Sequence, residues 1–466
     1  MAPTDVSTRT APTTGRAEAN KIGLLECVAF AVGTMVGAGV FVLSGVAVGK
    51  AGPAALVSFV LAGLLVLLSA LSFAVVASRA RTGESGYAYV GRALGPFWGF
   101  LASWAFYLGG IIGVAFVLSA FGTYLHDFFL GGMSPLVFAL AAAVVITLLN
   151  LGPADLIGRA EMALVGIKIG ILVLFVVFGV IHARTSQYQP FAPHGATSVL
   201  TTSGLLFVAY LGFNVVCNMA PEVKDAPRTI PRAIVISMAV VAVVYVGVVV
   251  ALLAGDVTSY SDSSVGAAAG HLMGHWGLVL IPLAALVSTL SAANANVLGS
   301  SEIMVRLASR RDVPTVLGRM WRGHPAVSVL GGAIIYVVLL LVGSTESVVA
   351  LANVAAIGAM AIINVSAVVA ARDHDGGGVR LPLGPVLPAL GALTALAQLF
   401  FIPWAEVLLG VVMLAAGSGI YLLRHTMHQP EHHAELREKV DAGDTPAARA
   451  VGGRRKVAPV SPSAHG

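Results

Sequence analysis

Gly33-Thr34-Met35-Val36-Gly37-Ala38-Gly39-Val40-Phe41 lies in the middle of the first long apolar segment of the chain and breaks it. Glycine is less favourable than alanine in a helix by roughly 1 kcal/mol per residue. Gly33, Gly37 and Gly39, followed by β-branched Val40, make this the weakest helical point of the segment. In a bilayer, backbone groups freed at depth are tolerated only against protein, a water-filled cavity or a ligand. The half-helix that resumes after the break presents unpaired N–H donors and positive dipole potential. A carboxylate is the natural guest, held by the N–H groups of Val36, Gly37, Ala38 and Gly39 beside Thr34.

The surrounding composition explains why the break lies in a membrane. Of 466 residues, 57% are hydrophobic and only 11% are charged, against roughly 25% charged in soluble domains. Uncharged runs long enough to span a bilayer recur along nearly the whole length, so the chain reads as one all-α polytopic membrane domain. A net charge of +5 does not imply nucleic acid, because the positive residues sit in short loops and in the tail. Cys27 and Cys217 lie inside apolar segments and are expected to pack rather than pair. The first residues are polar and carry no apolar signal-peptide core, so the first span is expected to direct insertion.

Twelve spans are expected: 22–44, 54–78, 94–124, 136–151, 162–181, 199–220, 233–254, 278–308, 326–342, 347–371, 384–402 and 407–423. With the N-terminus in the cytoplasm, 24 of the 27 Lys and Arg residues fall on the cytoplasmic side. Lys50 and Arg184 fall outside, and Lys168 lies within the membrane. That alternation fits positive-inside orientation, and one span more or fewer would spoil it. Residues 1–21 and 425–466 read as disordered cytoplasmic extensions around a transporter domain at 22–424. His425, His428, His432 and His433 in the tail have no carboxylate or thiolate framework around them, and no metal site is expected.

A second glycine break, Tyr210-Leu211-Gly212-Phe213-Asn214, falls in the sixth span. Each break opens a set of five spans. Interrupted segments at matching positions in two halves point to an inverted-repeat transporter with its solute bound between the breaks. Here the repeats would be 22–182 and 198–371, with accessory helices over 384–424. The second break would offer carbonyls around Phe207, Val208 and Tyr210 to an ammonium, so a site with both poles fits an α-amino acid. Lys168 is the second decisive residue, an ionisable group about one-third of the way into a span, and such residues are functional suspects by default. From Glu161 the rise is about 10 Å at 1.5 Å per residue. Snorkelling to the interface is therefore possible but strained. Desolvation disfavours a charged lysine, which would let Lys168 lose and regain a proton as its surroundings open and close.

At these residues the sequence resembles the amino acid-polyamine-organocation superfamily of permeases, most closely its proton-coupled, broad-specificity amino acid transporters. The likeness runs over roughly 22–371. It takes in Gly33 to Phe41, Gly158-Arg159-Ala160-Glu161 leading to Lys168, Tyr210 to Phe213, Pro231-Arg232-Ala233-Ile234, Ser288 to Asn294, and Ala308 to Pro314. The resemblance implies a LeuT-type 5+5 inverted repeat with two further C-terminal helices, working by alternating access in the cell membrane. It also implies that the Lys168 ammonium takes the place a sodium ion holds in sodium-coupled relatives. There it would bond a carbonyl near Gly33 on span one and Ser288 or Ser291 on span eight. Many members carry an acid after the Gly-Phe of span six, where this chain has Asn214, so a neutral, small-to-medium amino acid is the expected solute.

Phe207, Tyr210, Phe213 and Ile111 are candidate pocket walls, the alternative for each being core packing. Glu222 could gate the cytoplasmic side or cap a helix. The nearest rival is the same fold carrying a cationic amino acid, polyamine or other small solute, with exchange as the alternative mode of transport. No nucleophile-base pair or metal-ligand pattern favours an intramembrane enzyme, no cofactor is implied, and no selectivity-filter repeat favours a channel.

Overall fold

The computed structural model describes residues 22–79, 86–152, 158–218, 222–321, 323–372, 379, 381 and 383–441. The expected arm at 1–21 and the tail beyond 441 lie outside the described residues. Helices α1 (Leu24–Met35) and α2 (Ala38–Ala51) form the broken first segment, followed by α3 (Ala55–Ser78). Next come α4 (Gly86–Leu94), α5 (Pro96–Phe128), α6 (Pro135–Leu151) and α7 (Gly158–His182). The second broken segment comprises α8 (Gly195–Leu205), a 3-10 turn (Leu206–Tyr210) and α9 (Asn214–Asn218). It is followed by α10 (Ala226–Ala254), α11 (Ser264–Met273), α12 (His275–Ser309) and α13 (Ala326–Val342). The chain ends in α14 (Thr345–Arg372), α15 (Val386–Gln398) and α16 (Trp404–Asp441).

Seven helical stretches are long and apolar enough to cross a membrane, and five shorter apolar helices accompany them among the described residues. No strand occurs among the described residues; Ile22 and Val223 form an isolated parallel bridge. Side chains such as Val177, Ile181, Val243, Leu393 and Leu409 are exposed on the outside, where acyl chains would solvate them. Helices starting at proline, as α5 and α6 do, lose no intrahelical bond there, and the Ser134 hydroxyl caps α6 by accepting from the Leu136 N–H.

The bundle encloses α2. Every residue from Ala38 to Val48 is buried, with α3, α5, α8, α10, α11 and α12 packed around it. Helix α5 in turn packs on α6, α12, α13 and α14, and α10 packs on α1, α3 and α7. An all-round apolar helix is stable only in such a position. Small residues permit the closest approaches, as between α7 and α10. A Cβ placed on Gly179 would stand 2.3 Å from the Ala251 Cα. Gly179→Val is accordingly expected to push α7 off α10 and cost about 1–3 kcal/mol by overpacking. Thermal unfolding of the detergent-solubilised variant checks this; a wild-type midpoint would contradict the contact.

Three features differ from the sequence expectations. Helices α4 and α11 occupy connectors read as loops, because helices of nine and ten residues fall below the length that marks a span. The sixth span is split into three pieces rather than bent once. The last helix, expected to end at Leu423, runs on to Asp441; polar residues after a span can continue its hydrogen-bond ladder without needing burial.

Candidate functional site

Helix α1 stops at Met35 and α2 starts at Ala38. The Val36 N–H still donates to the Val32 carbonyl at 2.8 Å, and the Gly37 N–H folds back to the Met35 carbonyl at 2.8 Å. Two of the four N–H groups expected to face a carboxylate are therefore already engaged. Those of Ala38 and Gly39 open the first turn of α2, where a helix supplies no acceptor of its own.

The break also leaves the final carbonyls of α1 short of partners, and neighbouring helices supply them. Lys168 Nζ on α7 donates to the Gly33 carbonyl at 3.1 Å. The Tyr245 hydroxyl on α10 lies 2.7 Å from the Met35 carbonyl, and Ser288 Oγ on α12 lies 3.4 Å from that of Val36. Lys168 is 4% exposed. A buried ammonium is tolerable only against compensating negative charge, and the C-terminal end of a helix carries about half an elementary charge of that sign. Ser291 lies on α12 one turn beyond Ser288 and is half-buried. The arrangement gives a protonatable amine direct purchase on the end of a half-helix.

The second break rests on the first. After the 3-10 turn the chain extends at Leu211 and passes Gly212 at φ +133 before α9 begins. The Gly212 N–H donates to Asn214 Oδ1 at 3.1 Å, and the Gly212 carbonyl accepts from Thr34 Oγ1 at 3.1 Å. A Cβ on Gly212 would lie 2.9 Å from both the Met35 nitrogen and the Thr34 carbonyl carbon. Gly39 also approaches Ala209, with an added Cβ 3.2 Å from its Cα. Gly37 faces Ala292 of α12. Thus Gly33, Thr34, Val36, Gly37, Ala38, Gly39, Gly212, Asn214, Lys168 and Ser288 converge on the paired breaks.

Other candidates point elsewhere. Tyr210 is fully buried and sends its hydroxyl to the Phe59 carbonyl of α3 at 2.8 Å. Phe213 packs edge-on against Phe73 of the same helix, with centroids 6.4 Å apart. Ile111 sets its Cδ1 against Gly332 of α13. These contacts fit the core-packing alternative given for each of the three. Phe207 is fully buried and Val208 half-buried; the Val208 carbonyl accepts from the Leu211 N–H at 3.1 Å. Asn214, expected to reach the solute, caps the break itself.

The sequence reading did not single out Tyr245 or Asn353. Asn353 on α14 donates to the Gly204 and Leu205 carbonyls at 3.2 and 2.9 Å, satisfying the end of α8. A tyrosine or asparagine deep in a span, each needing a partner in lipid, was the available signal.

Where α2 and α5 finish and α14 begins, polar groups cluster. Lys50 pairs with Glu346 at 2.7 Å, and Ser263 Oγ donates to Asp127 Oδ2 at 2.5 Å. Burial pushes the Asp262 carboxyl above its ordinary range, nearby Glu346 and Asp127 add to the rise, and a Thr345 hydrogen bond opposes it. The folded protein therefore binds this proton more tightly than the unfolded chain. The associated stability is complete below the unfolded value of about 3.9 and is lost as pH rises through the elevated folded value. Asp262→Asn, which can still accept from Thr345, is expected to melt above wild type at neutral pH. The gap should close below about pH 4, and a gap independent of pH would contradict this assignment.

The family model for amino acid permeases matches residues 22–421. The inner membrane transport protein YbaT of Escherichia coli is 31% identical over 344 residues, covering 72% of this chain and 79% of that protein. The methylthioribose transporter of Bacillus subtilis is 26% identical, covering 91% and 97% respectively. The branched-chain amino acid permease BcaP of the same organism is 26% identical, covering 88% and 93%.

Proposed function

Because the chain belongs to the amino acid permease family, and is thus a multi-pass membrane transporter, we propose that it imports amino acids by proton symport through alternating access. The observation that carries this reading is the buried Lys168 ammonium bonded to the Gly33 carbonyl at the broken end of α1. Protonated, Lys168 ties α7 to α1 through a charge-assisted bond. Deprotonated, it loses its attraction for the negative helix end, and α1 is free to swing. Each cycle then moves one proton with the solute.

In this reading, spans one to five and six to ten form inverted repeats over about 22–182 and 198–371, with two accessory helices over 384–424 and both termini in the cytoplasm of a cell-membrane protein. The first-turn N–H groups of α2 take the solute carboxylate, and carbonyls beside Phe207 and Tyr210 take its ammonium. Asn214 leaves a cationic side chain without a counter-charge, so neutral amino acids of small to medium size are the substrates. A Lys168 that keeps its proton throughout would instead suit obligate exchange, the second reading.

The test is uptake of radiolabelled alanine and serine into proteoliposomes with and without an inward proton gradient. Acid-stimulated uptake, competed by neutral amino acids but not by arginine or methylthioribose, is the expected result. Dependence on sodium, counterflow without net uptake, or binding confined to arginine and polyamines would overturn it.

A further inference from the structure

Tyr245 stands on α10 and is fully buried. Its hydroxyl oxygen lies 2.7 Å from the Met35 carbonyl oxygen and 2.8 Å from that of Ala209. Each carbonyl belongs to one break: Met35 is the last residue of α1, and Ala209 lies in the 3-10 turn that ends at Tyr210. A tyrosine hydroxyl carries one proton, so the two carbonyls share it. Without that proton, two buried acceptors would turn their negative ends on the same point.

The hydroxyl is held in place. The Tyr245 ring meets Phe59 edge-on at 5.4 Å and Tyr210 edge-on at 5.2 Å. Helix α10 itself packs on α1, α2 and α3. The hydroxyl is therefore a pin between the breaks, three residues before Ala38 on one side and next to Tyr210 on the other.

We propose that Tyr245 is a positioning residue whose hydroxyl sets the separation between the N–H pole of α2 and the carbonyl pole of the 3-10 turn. It thereby makes the site select a solute bearing a carboxylate and an ammonium on one carbon over a solute bearing either alone. This inference rests on the amino-acid reading of the site. Slack at the pin leaves each pole able to hold its own group but no longer both at the spacing of an α-amino acid.

The experiment compares alanine with propionate, which has only the carboxylate, and ethylamine, which has only the ammonium, as competitors of labelled alanine uptake. Wild type should prefer alanine to both. In Tyr245→Phe that preference is expected to fall about tenfold, through weaker alanine binding, while acid stimulation of uptake persists because the Lys168–Gly33 contact is untouched. Tyr124→Phe is the matched control: it removes an equally buried hydroxyl, which donates to the Phe41 carbonyl at 2.9 Å, and should leave the preference unchanged.

Equal weakening of all three competitors in Tyr245→Phe, or an equal effect of Tyr124→Phe, would overturn the proposal. So would a Tyr245→Phe protein that fails to fold when Tyr124→Phe folds, since the hydroxyl would then serve folding. Wild type that does not prefer alanine would instead remove the amino-acid reading itself.

Discussion

Lys168→Ala is expected to abolish the acid stimulation of alanine uptake and to lower uptake by at least about tenfold. A hydrogen bond to a charged group contributes about 1.5–3 kcal/mol, and losing it shifts an equilibrium by roughly 10- to 150-fold. In the proposed cycle the equilibrium is between α1 held against α7 and α1 released, and Lys168 Nζ, which reaches the Gly33 carbonyl at 3.1 Å, biases it. Alanine cannot reach that carbonyl, so the helix end is held less firmly at every pH. Lys168→Arg supplies the complementary case: arginine stays charged across the accessible pH range, so its uptake should also lose pH dependence, with α1 held rather than released. Uptake into proteoliposomes across a pH series, with both variants first shown to be monodisperse, reads the outcome. Acid stimulation of wild-type size in Lys168→Ala would make the lysine a structural charge.

Gly212→Ala should be nearly as damaging, for a steric reason. At φ +133 a side chain costs about 1–3 kcal/mol in backbone strain. The new Cβ would also stand 2.9 Å from backbone atoms of Thr34 and Met35, and backbone cannot turn aside as a flexible side chain does. The two breaks must separate, which takes Thr34 Oγ1 from the Gly212 carbonyl and strains the Tyr245 pin. A loss of alanine uptake of about 10- to 100-fold follows from roughly 1.4–2.8 kcal/mol. Alanine-dependent thermal stabilisation should fall with it. Asn214→Ala, which only uncaps the Gly212 N–H, should cost about 0.5–1.5 kcal/mol. Gly132→Ala, where an added Cβ meets nothing within 4 Å, should behave as wild type. If Gly212→Ala matches Gly132→Ala, the breaks do not bear on each other in the working protein.

Glycine placement made both breaks legible in the sequence, because a helix weakened locally is a property of neighbouring residues. The same holds for Lys168, whose charge stands out against the apolar run on either side, and for the start of α2 just beyond the first break. The N–H inventory was less legible. Val36 and Gly37 turn their N–H groups back onto α1, a detail of backbone torsion that composition does not encode. Side-chain direction was not legible at all. Tyr210 and Phe213 flank the second break in sequence yet pack on α3, since neighbours along a distorted turn diverge by angles no periodicity predicts. Tyr245 contacts Met35 across 210 residues of chain, and only helix packing brings those positions together.

By itself, then, the sequence determined a polytopic helical membrane protein with glycine breaks in its first and sixth apolar segments and a lysine set within the fifth. Local propensity, hydropathy and charge carry that information, and each acts over a few residues. Tertiary structure alone decided that Gly212 rests on Thr34 and Met35 and that one tyrosine proton serves both breaks, whereas the bond from Lys168 to the Gly33 carbonyl is the one the family resemblance led us to expect. In an apolar bundle every freed backbone group must find a donor or acceptor, and which helix supplies it depends on the packing of the whole.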